Sequence, residues 1–114
     1  TFPWGEDKPD DRFANFNFIV KDTSRVGSYP LGASPFGVMD MAGNVWEWVD
    51  DWFDAYPGGS PSASVNFGTT FKIIRGGSWK ATAVDLPAFT RSAQDPTNPG
   101  INSIGIRCAK DANP

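Results

Sequence analysis

Turn-forming residues interrupt this chain at such short intervals that long helices and long strands have little room. The 114 residues include 12 glycines and 10 prolines, close to the upper limit for a folded chain. Five tryptophans, nine phenylalanines and two tyrosines supply the apolar bulk that a short chain needs to stay compact. The sequence therefore predicts irregular loops held in place by large aromatic side chains.

Length, hydrophobicity and charge restrict the class of protein. A chain of 114 residues has room for one small domain and no second core. Hydrophobic residues make up 39% and charged residues 20%, which is too apolar for a disordered acidic tail, and no apolar run is long enough to span a bilayer. The net charge is −3 and the basic residues are scattered. We therefore expect a soluble globular unit with no direct membrane span and no nucleic-acid partner.

The histidine and cysteine counts exclude several kinds of active site within this chain. Histidine is absent, so the chain alone supplies no Ser-His-Asp triad, no facial triad for non-haem iron and no His-rich zinc site. Cys108 is the single cysteine, which excludes an internal disulfide and a CxxC redox motif. Oxygen-donor chemistry and aromatic surfaces remain available.

Aromatic and β-branched residues indicate short strands. The predicted strands are 44–50, 71–75 and 101–109, with a short extended segment within 13–20. Residues 56–69 and 81–100 are predicted to be long loops. On the last strand Ile104, Ile106 and Cys108 would share an apolar face, so Cys108 is predicted to be a buried, inert thiol. The default assignment for four tryptophans is the core: Trp46, Trp48, Trp52 and Trp79.

Two carboxylates flank a glycine turn in the segment Asp40-x-x-Gly43-x-Val45-x-Glu47. A turn directs carbonyl oxygens inward while flanking carboxylates add charge, which is a donor set that suits calcium. Two other interpretations stay open. Asp40 can cap the turn while Glu47 pairs with an arginine, or the two acids can act as a general acid and base, as in glycoside hydrolysis.

Glu47 lies between Trp46 and Trp48, so its carboxylate risks burial and needs a partner. A metal ion would serve, and so would an arginine. The candidate arginines are Arg75, Arg91 and Arg107.

Taken together, several segments make the chain resemble the sulfatase-modifying-factor family, which includes the formylglycine-generating enzyme. The matching stretches are Phe2-Pro3-Trp4-Gly5, Ala14-Asn15-Phe16, Val26-Gly27-Ser28-Tyr29-Pro30, Ser34-Pro35-Phe36-Gly37-Val38, Asp40-Met41-Ala42-Gly43-Asn44-Val45-Trp46-Glu47-Trp48, Arg75-Gly76-Gly77-Ser78-Trp79 and Gly105-Ile106-Arg107-Cys108-Ala109. They occur in the family's order over nearly the whole chain. The resemblance implies an α+β, C-type-lectin-like fold that is loop-rich and has little regular secondary structure.

The resemblance also implies calcium as a cofactor. In a first site it assigns the side chains of Asp40 and Glu47 and the carbonyls of Gly43 and Val45 as ligands. A second site would use Asn15 and the Phe16 carbonyl. Candidates for completing that second site are Asp22 and the Ser24 carbonyl.

The sequence departs from the family in the segment that carries its chemistry. The oxidation of a substrate cysteine to formylglycine depends on two cysteines shortly after the Gly-Gly-Ser turn, which hold copper(I). Residues 77–86 contain no thiol, so neither copper nor iron is expected from this chain alone. Trp46, Ser78 and Arg91 fall where residues near the family's cleft would lie and are retained as cleft candidates.

A second departure is at the front, where the family's opening portion is absent. Residues 1–114 are therefore interpreted as the C-terminal portion of a single domain, with the remainder missing, cleaved or supplied by another chain. Uncovered strand edges and apolar faces require a partner. We expect that partner to be another protein chain, either the rest of the domain or a subunit of an assembly.

The leading functional hypothesis is a non-catalytic, calcium-stabilised binding or scaffold domain, with loops 56–69 and 80–100 as contact surfaces. The alternative is an enzyme of the family, for formylglycine generation or a sulfoxide-synthase type of oxidation, with redox-metal ligands supplied elsewhere. A retroelement-type variable protein is a third interpretation, but residues 80–103 hold only Asn98 and Asn102 where such proteins carry many asparagines. By analogy, calcium sites favour an extracytoplasmic or secreted setting.

Overall fold

A small curled sheet and long connecting segments form the structure, a computed structural model that describes residues 1–60, 64, 66–98 and 102–112. The strands in this part are β1 (Trp46–Trp52), β2 (Lys72–Arg75), β3 (Arg91–Gln94) and β4 (Ile104–Gly105). Two 3-10 helices, Pro30–Gly32 and Ala83–Asp85, are the helical segments among these residues. The prediction of a loop-rich α+β fold with little regular secondary structure is confirmed. No helix in the described part is long and apolar enough to cross a membrane.

The strands lie in the order β3-β2-β1-β4. β2 pairs antiparallel with both neighbours, and Arg75 lies opposite Glu47 on β1 and opposite Arg91 on β3. β4 pairs parallel with β1, so Gly105 lies beside Glu47 on the other side. Glu47 is therefore flanked by the strand that ends at Arg75 and by the segment that leads to Arg107.

The buried apolar side chains include two in β2 and a cluster of residues from the connecting segments. Ile73 and Ile74 are buried in β2, because β2 is a central strand with a neighbour on each edge. A separate cluster consists of Ala14, Phe16, Ala42 and Leu86, with Phe2 and Trp4 packed against it. The rings of Phe2, Trp4 and Phe13 stack in sequence, with centroids 5.2 and 5.0 Å apart.

The predicted strands at 44–50 and 71–75 are present with shifted ends, but other predictions are wrong. The closing strand shortens to β4, because only two residues pair with β1 before the chain turns toward Glu47. Ile106 is 77% exposed and Cys108 is exposed, so the predicted buried face does not form. Residue 101 of that prediction lies outside the described residues, as do 99–100 of the predicted 81–100 loop and 61–63 and 65 of the predicted 56–69 loop.

Two further corrections concern segments on either side of the sheet. Residues 13–20 form turns instead of an extended segment, because Asn17 and Phe18 have φ of 50° and 57° and donate their N–H groups to the carbonyls of Ala81 and Trp79. The predicted loop 81–100 contains a 3-10 helix and β3. β3 has no alternating pattern of its own, and pairing with β2 holds it extended.

The tryptophans divide between the interior and the surface. Trp79 is buried, with 8% of its surface exposed, while Trp46 and Trp48 are half-buried. Trp52 is exposed, with the Lys72 ammonium 4.3 Å from its ring centroid. Assigning all four tryptophans to the core is therefore wrong for Trp52, which lies at the exposed end of β1.

Candidate functional site

Glu47 is held by Arg107 through both carboxylate oxygens. The Arg107 Nε donates to Oε2 and Nη2 donates to Oε1, each at 2.8 Å. The same Nη2 also donates to the carbonyls of Met39 and Asp40, at 2.9 and 3.1 Å. Hydrogen bonding to Glu47 raises the pKa of the Arg107 guanidinium above its ordinary value. An arginine partner for Glu47 was one of the two partners that the sequence left open.

The turn from Asp40 to Asn44 combines an unusual backbone conformation with hydrogen bonds to two other segments. Asp40, Gly43 and Asn44 have positive φ values of 57°, 79° and 67°, which glycine and short polar residues adopt most readily. The Asp40 Oδ2 accepts a hydrogen bond of 2.7 Å from the Gly27 N–H. The Gly43 N–H donates to the Gly76 carbonyl at 2.8 Å. The turn is therefore hydrogen-bonded to the 24–27 segment on one side and to the Gly-Gly-Ser turn on the other.

Asn15 lies at the centre of the second predicted ligand group. Its side chain is 1% exposed, and its Nδ2 donates to the Asp22 carbonyl at 2.9 Å and to the Ser24 Oγ at 3.2 Å. Its Oδ1 is buried and has no hydrogen-bond partner. The structure thus brings Asn15, Asp22 and Ser24 together, with Phe16 following Asn15 in the chain.

Asn44 connects the two predicted ligand groups, although it is not among the residues predicted from the sequence. Its Oδ1 accepts from the Ser24 N–H at 2.9 Å, and its Nδ2 donates to the Ser24 carbonyl at 3.3 Å. Its backbone N–H donates to the Asn15 carbonyl at 2.8 Å. The available signal was an asparagine directly after Gly43, since such residues tolerate positive φ and bond to nearby backbone.

Both groups offer oxygen donors of the kind that a hard cation prefers. An unpaired buried acceptor such as the Asn15 Oδ1 costs free energy unless a ligand or water satisfies it. The two Glu47 oxygens each retain a second lone pair beside the one that faces Arg107. No cluster of three or more histidine, cysteine or acidic residues occurs among the described residues. A cation here would therefore depend on amide and carbonyl oxygens as well as on single carboxylates, which suits calcium.

Two cavities adjoin the Glu47–Arg107 pair. The first has a volume of about 350 Å³ and the second about 460 Å³. Trp48 and Arg75 line the first, and Asp40 lines the second. Glu47 and Arg107 line both cavities, so the ion pair forms part of the wall between them.

The three cleft candidates do not line either of these cavities. Ser78 is 2% exposed, and its Oγ accepts a hydrogen bond from the Lys80 N–H at 3.2 Å. Trp46 is half-buried at the start of β1, and its backbone N–H donates to the Ser103 carbonyl at 2.7 Å. Arg91 contacts a separate group of aromatic side chains.

Arg91 is enclosed by aromatic rings that hold the chain after β1 against β3. Its guanidinium carbon lies 4.0 Å from the Tyr56 ring centroid, 5.0 Å from that of Phe53 and 5.7 Å from that of Phe67. Its Nη1 donates to the Asp54 carbonyl at 2.6 Å. These contacts give Arg91 a packing role in the folded chain.

Replacing Arg91 with alanine is expected to lower the free energy of unfolding by about 2 kcal/mol, because cation–π contacts and a charged hydrogen bond are lost. Chemical denaturation measures the change. Arg25→Ala is the matched control, since Arg25 is exposed, and it should have almost no effect. Equal effects for the two variants would contradict the packing role of Arg91.

Comparison with known proteins gives a consistent family assignment. The profile of the sulfatase-modifying factor enzyme 1-like domain matches residues 1–112. "Serine/threonine-protein kinase pkn1" of Chlamydia pneumoniae is 39% identical over 119 residues, which covers 98% of this chain and 18% of the kinase. "Hercynine oxygenase" of Mycolicibacterium smegmatis is 35% identical over 120 residues, which covers 96% of this chain and 28% of the oxygenase.

A solved structure shares the fold. PvdO from Pseudomonas aeruginosa superimposes with a TM-score of 0.70 at 32% identity, covering 93% of this chain and 42% of that protein. The chain thus spans less than a third of the two curated relatives and less than half of the structural one.

Proposed function

The chain belongs to the sulfatase-modifying factor enzyme 1-like domain family, and from this premise we propose that it is a non-catalytic, calcium-stabilised domain that docks another protein within an assembly. The observation that carries the proposal is the buried Asn15 Oδ1 without a partner, beside Asp22 and Ser24. A calcium ion would give this oxygen the partner that it lacks and would hold the surrounding oxygen donors together.

Two ligand groups would hold calcium under this proposal. Asn15, Asp22 and the carbonyls of Phe16 and Ser24 form one group. The other consists of the side chains of Asp40 and Glu47 with the carbonyls of Gly43 and Val45. The two groups are linked, because Asn44 bonds to both Ser24 and Asn15. Calcium at either group would therefore restrain the same set of loops.

The absence of the expected thiols supports a non-catalytic role. Ser78 is followed by Trp79-Lys80-Ala81-Thr82-Ala83-Val84-Asp85-Leu86, a segment without the cysteine pair that formylglycine generation requires. Cys108 is the single thiol of the sequence and lies in the closing segment instead. An enzymatic function of the family, favoured by the similarity to hercynine oxygenase, would need redox-metal ligands from residues outside this chain.

Exposed apolar surface supports the docking part of this proposal. Large apolar side chains remain exposed, among them Phe36 at 93% and Val26 at 78%, and exposed apolar surface commonly marks an interaction site. Another protein chain would cover such surface. A calcium-stabilised domain also suits an extracytoplasmic or secreted setting, where modules with weak calcium affinity remain loaded.

Thermal unfolding with and without calcium tests the stabilisation. We expect a higher melting temperature in calcium than in EGTA, because a ligand at about 100 times its Kd adds about 2.7 kcal/mol to stability. Magnesium at the same concentration should give a smaller shift, since it demands stricter octahedral geometry. Identical melting temperatures in calcium and in EGTA would contradict the proposal.

A further inference from the structure

Arg75 is a charged side chain without a carboxylate partner in the described part of the chain. It lies directly opposite Glu47 in the β1–β2 ladder, where opposite charges normally pair. Both Glu47 oxygens are instead bound to Arg107. Arg75 uses only its Nη1, which donates to the carbonyls of Ala88 and Thr90 at 3.3 and 3.2 Å.

The free edge of Arg75 has the geometry that binds a carboxylate. Arg107 holds Glu47 through Nε and Nη2, the two parallel donors that match a carboxylate in a bidentate pair. The same two nitrogens of Arg75, Nε and Nη2, have no hydrogen-bond partner among the described residues, because both hydrogen bonds of the Arg75 side chain are made by Nη1. Arg75 is half-buried, so an anion that reaches this edge would be partly shielded from solvent screening.

The cavity beside Arg75 is positive overall in a chain that is negative overall. Its lining includes the two cations Arg75 and Arg107 and the single anion Glu47, whereas the chain carries a net charge of −3. One further carboxylate would balance the lining. The cavity therefore favours an occupant that brings a negative charge.

The rest of the cavity is largely apolar, and the chain on either side of its lining segment exposes more apolar side chains. Its other lining residues include Met41, Trp48, Leu86 and Ala88, and Met41 is 46% exposed. Val84 and Phe89, which flank the lining segment 86–88 in the sequence, are 74% and 71% exposed. Apolar surface that extends past the cavity favours a polypeptide over a small carboxylate, because a small ligand would leave this rim uncovered.

We propose that this cavity receives a segment of a partner protein in which one aspartate or glutamate lies among apolar residues, with its carboxylate bound to the free edge of Arg75. The inference rests on the proposed docking function and identifies where docking occurs and what chemistry the partner presents. Trp48 and Met41 would contact the apolar side chains on either side of the acidic residue.

A displayed library of random heptapeptides, selected on the full chain in calcium buffer, tests this proposal. Selected peptides should carry one acidic residue flanked by apolar residues. Synthetic versions with glutamine in place of the acidic residue should bind at least tenfold more weakly. Binding is measured by calorimetry with the synthetic peptides themselves.

Variants of the chain show where the peptides bind. Ala88→Glu places a carboxylate next to Arg75 at an exposed position, so it should compete with the peptides and weaken their binding at least tenfold. Ala112→Glu adds the same charge at another exposed position and should leave binding unchanged. Unchanged circular dichroism confirms that both variants are folded.

The possible failures separate this inference from the docking function. Peptides that bind equally well to wild-type and Ala88→Glu protein would overturn the assignment of the cavity but leave docking in place. Selected peptides without an acidic residue would overturn the proposed partner chemistry. A library from which no peptide is enriched would overturn both the cavity and the docking function.

Discussion

An Asn15→Asp variant is expected to fold in calcium and to lose most of its stability in EGTA. Asn15 is 1% exposed, so an aspartate there would bury its charge. Its carboxylate would face the Asp22 carbonyl and the Ser24 Oγ, to which the amide Nδ2 now donates. An unpaired buried charge in such a position costs about 3–5 kcal/mol, which is a large part of the stability of a small domain.

Calcium should reverse that loss, because the new carboxylate is a stronger calcium ligand than the amide oxygen it replaces. Thermal unfolding of the variant in calcium and in EGTA measures the difference. Asn66→Asp is the matched control, since Asn66 is exposed and its variant should melt almost like the wild type in both buffers. A variant at Asn15 that is equally unstable in both buffers would contradict calcium binding at this group.

A Gly43→Ala variant is expected to lose about 2–5 kcal/mol of stability. Gly43 has a φ of 79°, a conformation that costs a residue with a Cβ about 1–2 kcal/mol. A Cβ at this position would also lie 2.5 Å from the Asn15 carbonyl oxygen and 3.2 Å from the Ala14 Cβ. Both neighbours are buried, so they have little freedom to move away, and crowding of this kind costs about 1–3 kcal/mol more.

Gly58→Ala separates the two contributions. Gly58 has a φ of 82°, but a Cβ there would meet no atom within 4 Å, so only the backbone cost of about 1–2 kcal/mol should remain. Chemical denaturation of both variants gives the comparison. A Gly43→Ala variant as stable as Gly58→Ala would show that the turn and Asn15 do not pack as described.

The fold could be predicted from the sequence where local pattern and tertiary pairing agree. The strands at 44–50 and 71–75 were recognisable because aromatic and β-branched residues dominate them, and the structure places β1 and β2 there with shifted ends. β3 was not predicted, because Arg91–Gln94 has no alternation and is held extended by its pairing with β2. The turn at Asn17 and Phe18 was missed for a related reason, since Phe18 adopts a positive φ that its residue type disfavours.

In the candidate site too, some features could be predicted from the sequence and others depend on how distant segments meet. The resemblance to the family grouped Asn15, Asp22 and Ser24, and these residues lie close together in the structure. The choice of Arg107 over Arg75 as the partner of Glu47 depends on where the chain turns after β4, which no local pattern specifies. Asn44 was missed because its role is visible only once two distant loops meet.

Native mass spectrometry shows whether the domain holds calcium and no redox metal. The purified chain is dialysed anaerobically against a mixture of calcium, magnesium, copper(I) and iron(II), and the bound ions are identified from the mass of the intact chain. We expect one or two calcium ions per chain, removed by EGTA, with no stoichiometric copper or iron. One copper or iron ion per chain, or no bound calcium, would contradict this expectation.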